Sequence, residues 1–154
     1  MSTLYVLVGV PGAGKSTWVA NQKWARDCIL VSTDLYVERY AKKQNKAYSE
    51  VFDEIMPQAV ESMVEDVYRA RESGRDIIWD QTSTTVSTRG KKIRMLPDYF
   101  KIAVVFRTPA EEELKRRLAS RPGKNIPWDV MERMIGGWQE PELEEGFDEI
   151  WRAE

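Results

Sequence analysis

A three-layer α/β sandwich, in which helices flank a central, mainly parallel five-stranded sheet, is the fold the sequence predicts. Three observations lead there. Short apolar runs alternate along the chain with longer amphipathic stretches, the order expected when parallel strands are joined by right-handed helical crossovers. The first run, Thr3 to Gly9 (TLYVLVG), is β-branched and aliphatic with little alternation, which suits a central strand covered on both faces. A glycine-rich turn follows it at once and opens into a helical pattern.

After that turn, Lys15 to Arg26 reads as a helix with Trp18 and Val19 along one side, and Cys28 to Ser32 as a second short strand. Ser32 or Thr33 can cap the next helix, Asp34 to Lys42. From Tyr48 to Ser73 the residues Phe52, Ile55, Met56, Ala59, Val60, Met63, Val64, Val67 and Tyr68 recur at i, i+3, i+4 spacing, so this is an amphipathic helix packed on the sheet. Pro57 inside it predicts a kink or a fresh start, and Gly74 a C-terminal stop. Asp76 to Asp80 (DIIWD) is the third strand, and Val86 to Leu96 a further helix. Lys101 to Phe106 (KIAVVF) is the fourth strand. Pro109 and Pro127 each open a helix, to about Ser120 and about Gly136, and Phe147 to Trp151 is a final short strand. Neither an internal repeat nor a linker interrupts the 154 residues, so one domain over 1–154 is expected.

Composition narrows the function classes. The chain is 42% hydrophobic and 31% charged, as soluble globular proteins are. Leu4 to Val10 is too short to span a bilayer and has no charged leader, so no membrane association and a cytoplasmic location are expected. The single Cys28 has no partner for an internal disulfide and reads as a small buried thiol among Ile29, Leu30 and Val31. No histidine occurs, so proton transfer must rest on carboxylates, lysine or tyrosine. The net charge of -2 argues against nucleic-acid binding by global charge but leaves room for a local basic groove.

Gly9-Val10-Pro11-Gly12-Ala13-Gly14-Lys15-Ser16 matches G-x-x-x-x-G-K-[ST] in full. Glycines let successive backbone N–H groups curl round a phosphate, and the following helix adds its positive N-terminus. Lys15 reaches the β- and γ-phosphates, and Ser16 can ligate Mg²⁺. The expected nucleotide contacts are Gly9, Pro11, Gly12, Ala13, Gly14, Lys15, Ser16 and Thr17, the cofactors ATP and Mg²⁺, and the fold a kinase-type P-loop NTPase. Absence of an N/T-K-x-D segment favours ATP over GTP.

Four further features surround that loop in the expected sheet. Asp80 ends a strand on the edge where ligands bind in open α/β sheets and is the expected second metal contact beside Ser16. Asp34 ends the second strand on the same edge, where a carboxylate can take the proton of an attacking hydroxyl; its alternative is a helix cap. Arg116, Arg117, Arg121 and Lys124 surround the Pro122-Gly123 hinge, a composition that suits a basic lid with Arg121 on the transferring phosphate. Arg89, Lys91, Lys92 and Arg94 follow Asp80 with no acid before Asp98, which predicts contacts to acceptor phosphates.

Taken together, VGVPGAGKSTW, Ser32-Thr33-Asp34-Leu35-Tyr36, Asp80-Gln81-Thr82-Ser83 and the segment from Arg121 to Pro127 resemble the bacteriophage-type polynucleotide 5′-hydroxyl kinase family of small P-loop kinases, whose wider relatives include zeta-toxin-like kinases. The resemblance covers most of the chain, with the P-loop its most specific part. It implies that Asp34 is the general base, Lys15 and Ser16 the ATP and Mg²⁺ contacts, and Arg121 the lid arginine. That family also holds the acceptor phosphate with an arginine three positions after the base. Val37 stands there in this chain, and Arg39 is the candidate substitute. The segment Tyr48 to Phe52 is similar to kinases acting on hydroxymethylated pyrimidines within DNA. The leading expectation is therefore a kinase for a nucleic-acid hydroxyl. A small-metabolite kinase and a nucleotide-dependent switch without an acceptor are the alternatives.

Overall fold

The computed structural model describes residues 1–153. Its sheet is wholly parallel in the order β2-β3-β1-β4-β5, formed by β1 (Thr3–Val8), β2 (Ile29–Val31), β3 (Ile77–Trp79), β4 (Phe100–Phe106) and β5 (Glu149–Ala153). β1 is central and buried on both faces: Leu4, Val6, Leu7 and Val8 are inaccessible to solvent. Leu4, Val6, Ile77, Trp79, Ala103 and Val105 pack with Met63, Val67 and Ala70 of α3 (Tyr48–Glu72). Leu7, Ile78, Ile102, Val104 and Phe106 face the opposite layer, which includes Trp18 of α1 (Lys15–Ala20) and Trp24. The two-residue alternation along each strand thus supplies both cores.

The layer over that second face departs from expectation. α1 stops at Ala20, and a 3₁₀ segment covers Lys23–Asp27, where one helix to Arg26 was expected. Positions six apart do not share a face of an α-helix. Breaking the helix lets both Trp18 and Trp24 reach the sheet, their rings 5.9 Å apart, with Trp24 4.5 Å from Tyr5 and Trp18 edge-on to Phe106 at 5.7 Å.

α2 (Thr33–Lys43) begins at Ser32, whose Oγ accepts from the Asp34 N–H at 3.1 Å. Ser32 is therefore the cap and Asp34 sits in the first turn. α2 packs along α3 through Val37, Ala41, Val51, Ile55 and Ala59. Pro57 is accommodated within a continuous α3. Both Pro57 and Asp53, whose carbonyl loses its intrahelical donor, face solvent, so water can satisfy that oxygen. Gly74, at φ +65, ends the helix as expected.

The basic stretch after β3 forms α4 (Val86–Met95), and two of its cations turn inward. Arg89 is wholly buried. It donates two hydrogen bonds to the Glu145 carboxylate, at 2.7 and 3.0 Å, and one each to the carbonyls of Ser83 and Gln139, both at 2.9 Å. Lys92 is also buried, its ammonium 5.4 Å from the centre of the Trp79 ring. The expectation that Arg89 and Lys92 contact an acceptor is corrected here: both donors are spent on the scaffold. Lys91 remains exposed on the outer side of α4. After β4 come α5 (Glu111–Ala119) and α6 (Trp128–Gly136), which pack over the P-loop through Leu114, Met131 and Val10.

Candidate functional site

Strand order decides what meets at the carboxyl edge of the sheet. β3 lies between β1 and β2, so the loop after β1, Asp80 after β3 and Ser32 to Asp34 after β2 emerge from three neighbouring strands. They border one cleft of about 1990 Å³, closed on the other side by Phe106 to Ala110, by Arg117 of α5 and by Ser120, Arg121, Pro122 and Lys124. Pro11, Gly12, Ala13, Gly14, Lys15, Ser16 and Thr17 all line it. Gly9 lies just behind, its N–H bonded to the Thr82 carbonyl at 2.9 Å.

The loop's conformation needs its glycines. Gly12 and Gly14 have φ of +86 and +100, and a Cβ on Gly12 would lie 2.7 Å from Leu114 Cδ1. Lys15 folds back across the loop and donates to the carbonyls of Gly9 at 2.7 Å and Val10 at 3.1 Å. Burial lowers its pKa to about 8; the charges of Asp80 and Asp34 oppose that shift, and Arg121 adds to it. Burial likewise raises the Asp80 carboxyl, against the pull of Lys15, Lys124 and Arg121. Lys15 and Asp80 therefore each feel the other's charge and those of Asp34 and Arg121. Asp80 is also held by its own N–H, which donates to the Val31 carbonyl at 2.9 Å.

Asp34 is exposed to the cleft and accepts a short hydrogen bond from the Tyr48 hydroxyl at Oδ1. Leu35 and Glu38 complete the α2 side of the cleft, whereas Val37 is buried in the α2–α3 seam. Arg39 is exposed but lies outside the cleft lining. The acceptor contact expected of Arg39 is not met in this structure: one turn beyond Leu35, its side chain lies outside the cleft that Asp34, Leu35 and Glu38 border. Lys91 and Arg94 are likewise not among the lining residues.

Of the lid cations, Arg121 and Lys124 reach the cleft while Arg116 turns out to solvent on Glu113. Arg117 ties α5 to the phosphate loop, donating to the Gly12 carbonyl at 3.0 Å and to Glu113 at 2.9 Å. Sequence reasoning missed Tyr48, Glu38, Arg107 and Arg152 as cleft or cleft-side groups. Glu38 had a readable signal, one helical turn beyond Asp34. Arg107 and Arg152 had one too, at the carboxyl ends of the last two strands, whereas Tyr48 had none, because only the tertiary fold brings it there.

A phosphate-cradling loop on the central strand of a parallel sheet, with one carboxylate at a strand end, another in the first helical turn after the neighbouring strand, and a cationic lid, defines a P-loop fold of the kinase type. The chain belongs to the AAA domain family, whose model matches residues 4–141. It is 27% identical over 162 residues to the heterogeneous nuclear ribonucleoprotein U-like protein 2 of Mus musculus, a match covering 97% of this chain and 21% of that protein. The chain thus spans about a fifth of that relative's length. Among solved structures, a Chloroflexus aurantiacus protein provisionally assigned as a kinase superposes with a TM-score of 0.74 at 18% identity, covering 99% of this chain and 84% of that one. A gluconokinase from Sinorhizobium meliloti 1021 superposes with a TM-score of 0.60 at 16% identity, covering 98% and 81%. These likenesses support the kinase-type fold and leave the particular phage polynucleotide kinase family without support. Among the described residues no helix is long and apolar enough to cross a membrane.

Proposed function

We propose that the protein is an ATP-dependent kinase that transfers the γ-phosphoryl group to an alcohol, with Asp34 as the proton acceptor. The observation that carries this reading is the meeting of Lys15, Asp34, Asp80 and Arg121 on the walls of one cleft at the carboxyl edge of the sheet. The loop from Gly9 to Thr17 would hold the phosphates, with Ser16 and Asp80 the protein contacts of Mg²⁺, an ion that keeps most of its shell on water and phosphate. When bound, Mg²⁺ neutralises charge on the β- and γ-phosphates. The acceptor oxygen forms a bond to the γ-phosphorus as the bond to the β,γ-bridging oxygen breaks. ADP leaves, and the hydroxyl proton passes to Asp34. Lys15 and Arg121 stabilise the negative charge spread over the phosphoryl oxygens.

For the acceptor, a compact uncharged alcohol such as a sugar or nucleoside is the reading favoured by the α2 wall. Asp34, Leu35 and Glu38 offer no cation there, Val37 is buried, and Arg89 and Lys92 are committed to the scaffold. A nucleic-acid hydroxyl is the second reading, favoured by Arg121 and Lys124 on the lid side. Labelled ATP with a panel of sugars, nucleosides and oligonucleotides, at low and raised salt, separates the two. Each phosphate neutralised by Lys or Arg makes oligonucleotide affinity fall with salt, and a neutral acceptor shows no such slope. Asp34→Asn should lower transfer by about 10²-fold or more while ATP binding stays near that of the parent. Transfer at the parent rate in that variant would remove Asp34 from the mechanism.

A further inference from the structure

We propose that Tyr48 is a positioning residue, fixing Asp34 for proton transfer and linking that fixation to closure of the lid. The proposal rests on the kinase reading above. Tyr48 is the first residue of α3, and its hydroxyl donates to Asp34 Oδ1, the one side-chain hydrogen bond that Asp34 makes among the described residues. Oδ2 is left for an acceptor hydroxyl. A carboxylate in the exposed first turn of a helix otherwise rotates about its side-chain torsions, and misaligned proton acceptors are poor ones. Burial, followed by the hydrogen bond and charge of Asp34, holds the Tyr48 phenol well above its ordinary range, so at neutral pH it keeps the proton that it donates to Asp34.

The same ring is also a platform for the lid. Lys124 Nζ lies 4.7 Å from its centre and pairs with Glu38, one turn beyond Asp34 on α2. Backbone bonds continue the contact: Ser49 N–H donates to the Gly123 carbonyl at 3.0 Å, and Asn125 N–H to Ser49 Oγ at 2.9 Å. Gly123, at φ +72, packs so closely that an added Cβ would lie 3.2 Å from Ala47 Cβ. One aromatic side chain therefore touches the proton acceptor by its hydroxyl and the lid by its face. Lid opening removes Lys124 from the ring and the backbone bonds from Ser49, which frees the start of α3 and with it the hydroxyl.

Tyr48→Phe keeps the ring and deletes the hydroxyl, so it separates the two contacts. The expected result is a fall in kcat of about tenfold with KM for ATP unchanged, and tryptic cleavage after Lys124 no faster than in the parent. Tyr48→Ala should lower kcat further and speed that cleavage, because Lys124 loses its platform. Glu38→Gln leaves α3 untouched and should also speed the cleavage and lower kcat. Circular dichroism establishes that each variant is folded, and if a Tyr48 variant is not, Glu38→Gln alone decides the link to the lid. Parent kcat in folded Tyr48→Phe overturns the positioning role, and parent cleavage and kcat in Glu38→Gln overturn the link. Asp34→Asn run beside them keeps the two levels apart. If Asp34→Asn is inactive and Tyr48→Phe is fully active, only the Tyr48 proposal fails; if Asp34→Asn is fully active, the kinase reading beneath it fails.

Discussion

Two segments of this chain, Arg89 to Arg94 and Arg116 to Lys124, each carry four cations and meet opposite fates. In α4 the run Arg89, Lys91, Lys92 and Arg94 is split: Arg89 and Lys92, three apart, turn into the protein, while Lys91 and Arg94 point to solvent. Around the hinge after α5, Arg121 and Lys124 instead face an open cleft, and Arg117 braces the phosphate loop. What separates the two is the partner available. Glu145, 56 residues from Arg89, supplies a nearly buried carboxylate matched to the guanidinium fork, whereas Lys124 meets its partner Glu38 at the cleft's edge. A cationic run thus declares itself structural or functional only when the distant residues facing it are known.

The strongest way to break that contrast is Arg89→Ala. It strands the Glu145 carboxylate in a site where only 8% of that side chain is exposed, and removal of one partner from a buried pair costs about 3–5 kcal/mol. Chemical denaturation should show that loss, while the fraction still folded binds ATP as the parent does. Arg121→Ala should do the reverse: transfer falls by about 10²-fold, and the melting temperature stays put. Should Arg121→Ala instead destabilise the fold without touching turnover, the two segments would have exchanged roles.

A subtler effect comes from Lys92. Burial, then the neighbouring charges of Lys91 and Arg89, lower its pKa from 10.5 to about 8 in the folded protein. Between those values the unfolded chain holds a proton that the folded one has released, so folding stability rises with pH across the window. Lys15, also lowered to about 8, adds a contribution of the same sign. Denaturation curves at pH 8, 9 and 10 should record the rise, and Lys92→Met should flatten it without abolishing it. The smallest effect belongs to Lys91→Glu, which lies on an exposed face and should change stability by less than about 0.5 kcal/mol. Phosphorylation of the preferred acceptor should be unaffected at any salt concentration.

Much of the architecture was legible because periodicity and turn chemistry are local. The unalternating run into Gly9, the glycine stop at Gly74 and the helix face through Ile55, Ala59, Met63 and Val67 each follow from spacing that tertiary packing did not override. The break after Ala20 was not legible, since it answers to where Trp18 and Trp24 must land on the sheet. At the site, the loop lining and the strand-end acids could be read, because strand ends and glycine turns mark the sheet edge. Tyr48 could not, because its hydroxyl meets Asp34 only through the packing of α2 against α3. Val37 gave a partial warning: an apolar residue at the place where the phage polynucleotide kinases that the sequence resembles carry an arginine fits a position that the fold buries.

Trp18 sits on α1 two residues beyond Ser16, lines the cleft, and stacks edge-on with both Trp24 and Phe106. The loop that would close on phosphate and the indole that would feel the closure therefore share one short helix. Intrinsic fluorescence becomes a label-free report of nucleotide occupancy, and Trp18→Phe identifies its source by removing the signal while the other five tryptophans continue to emit.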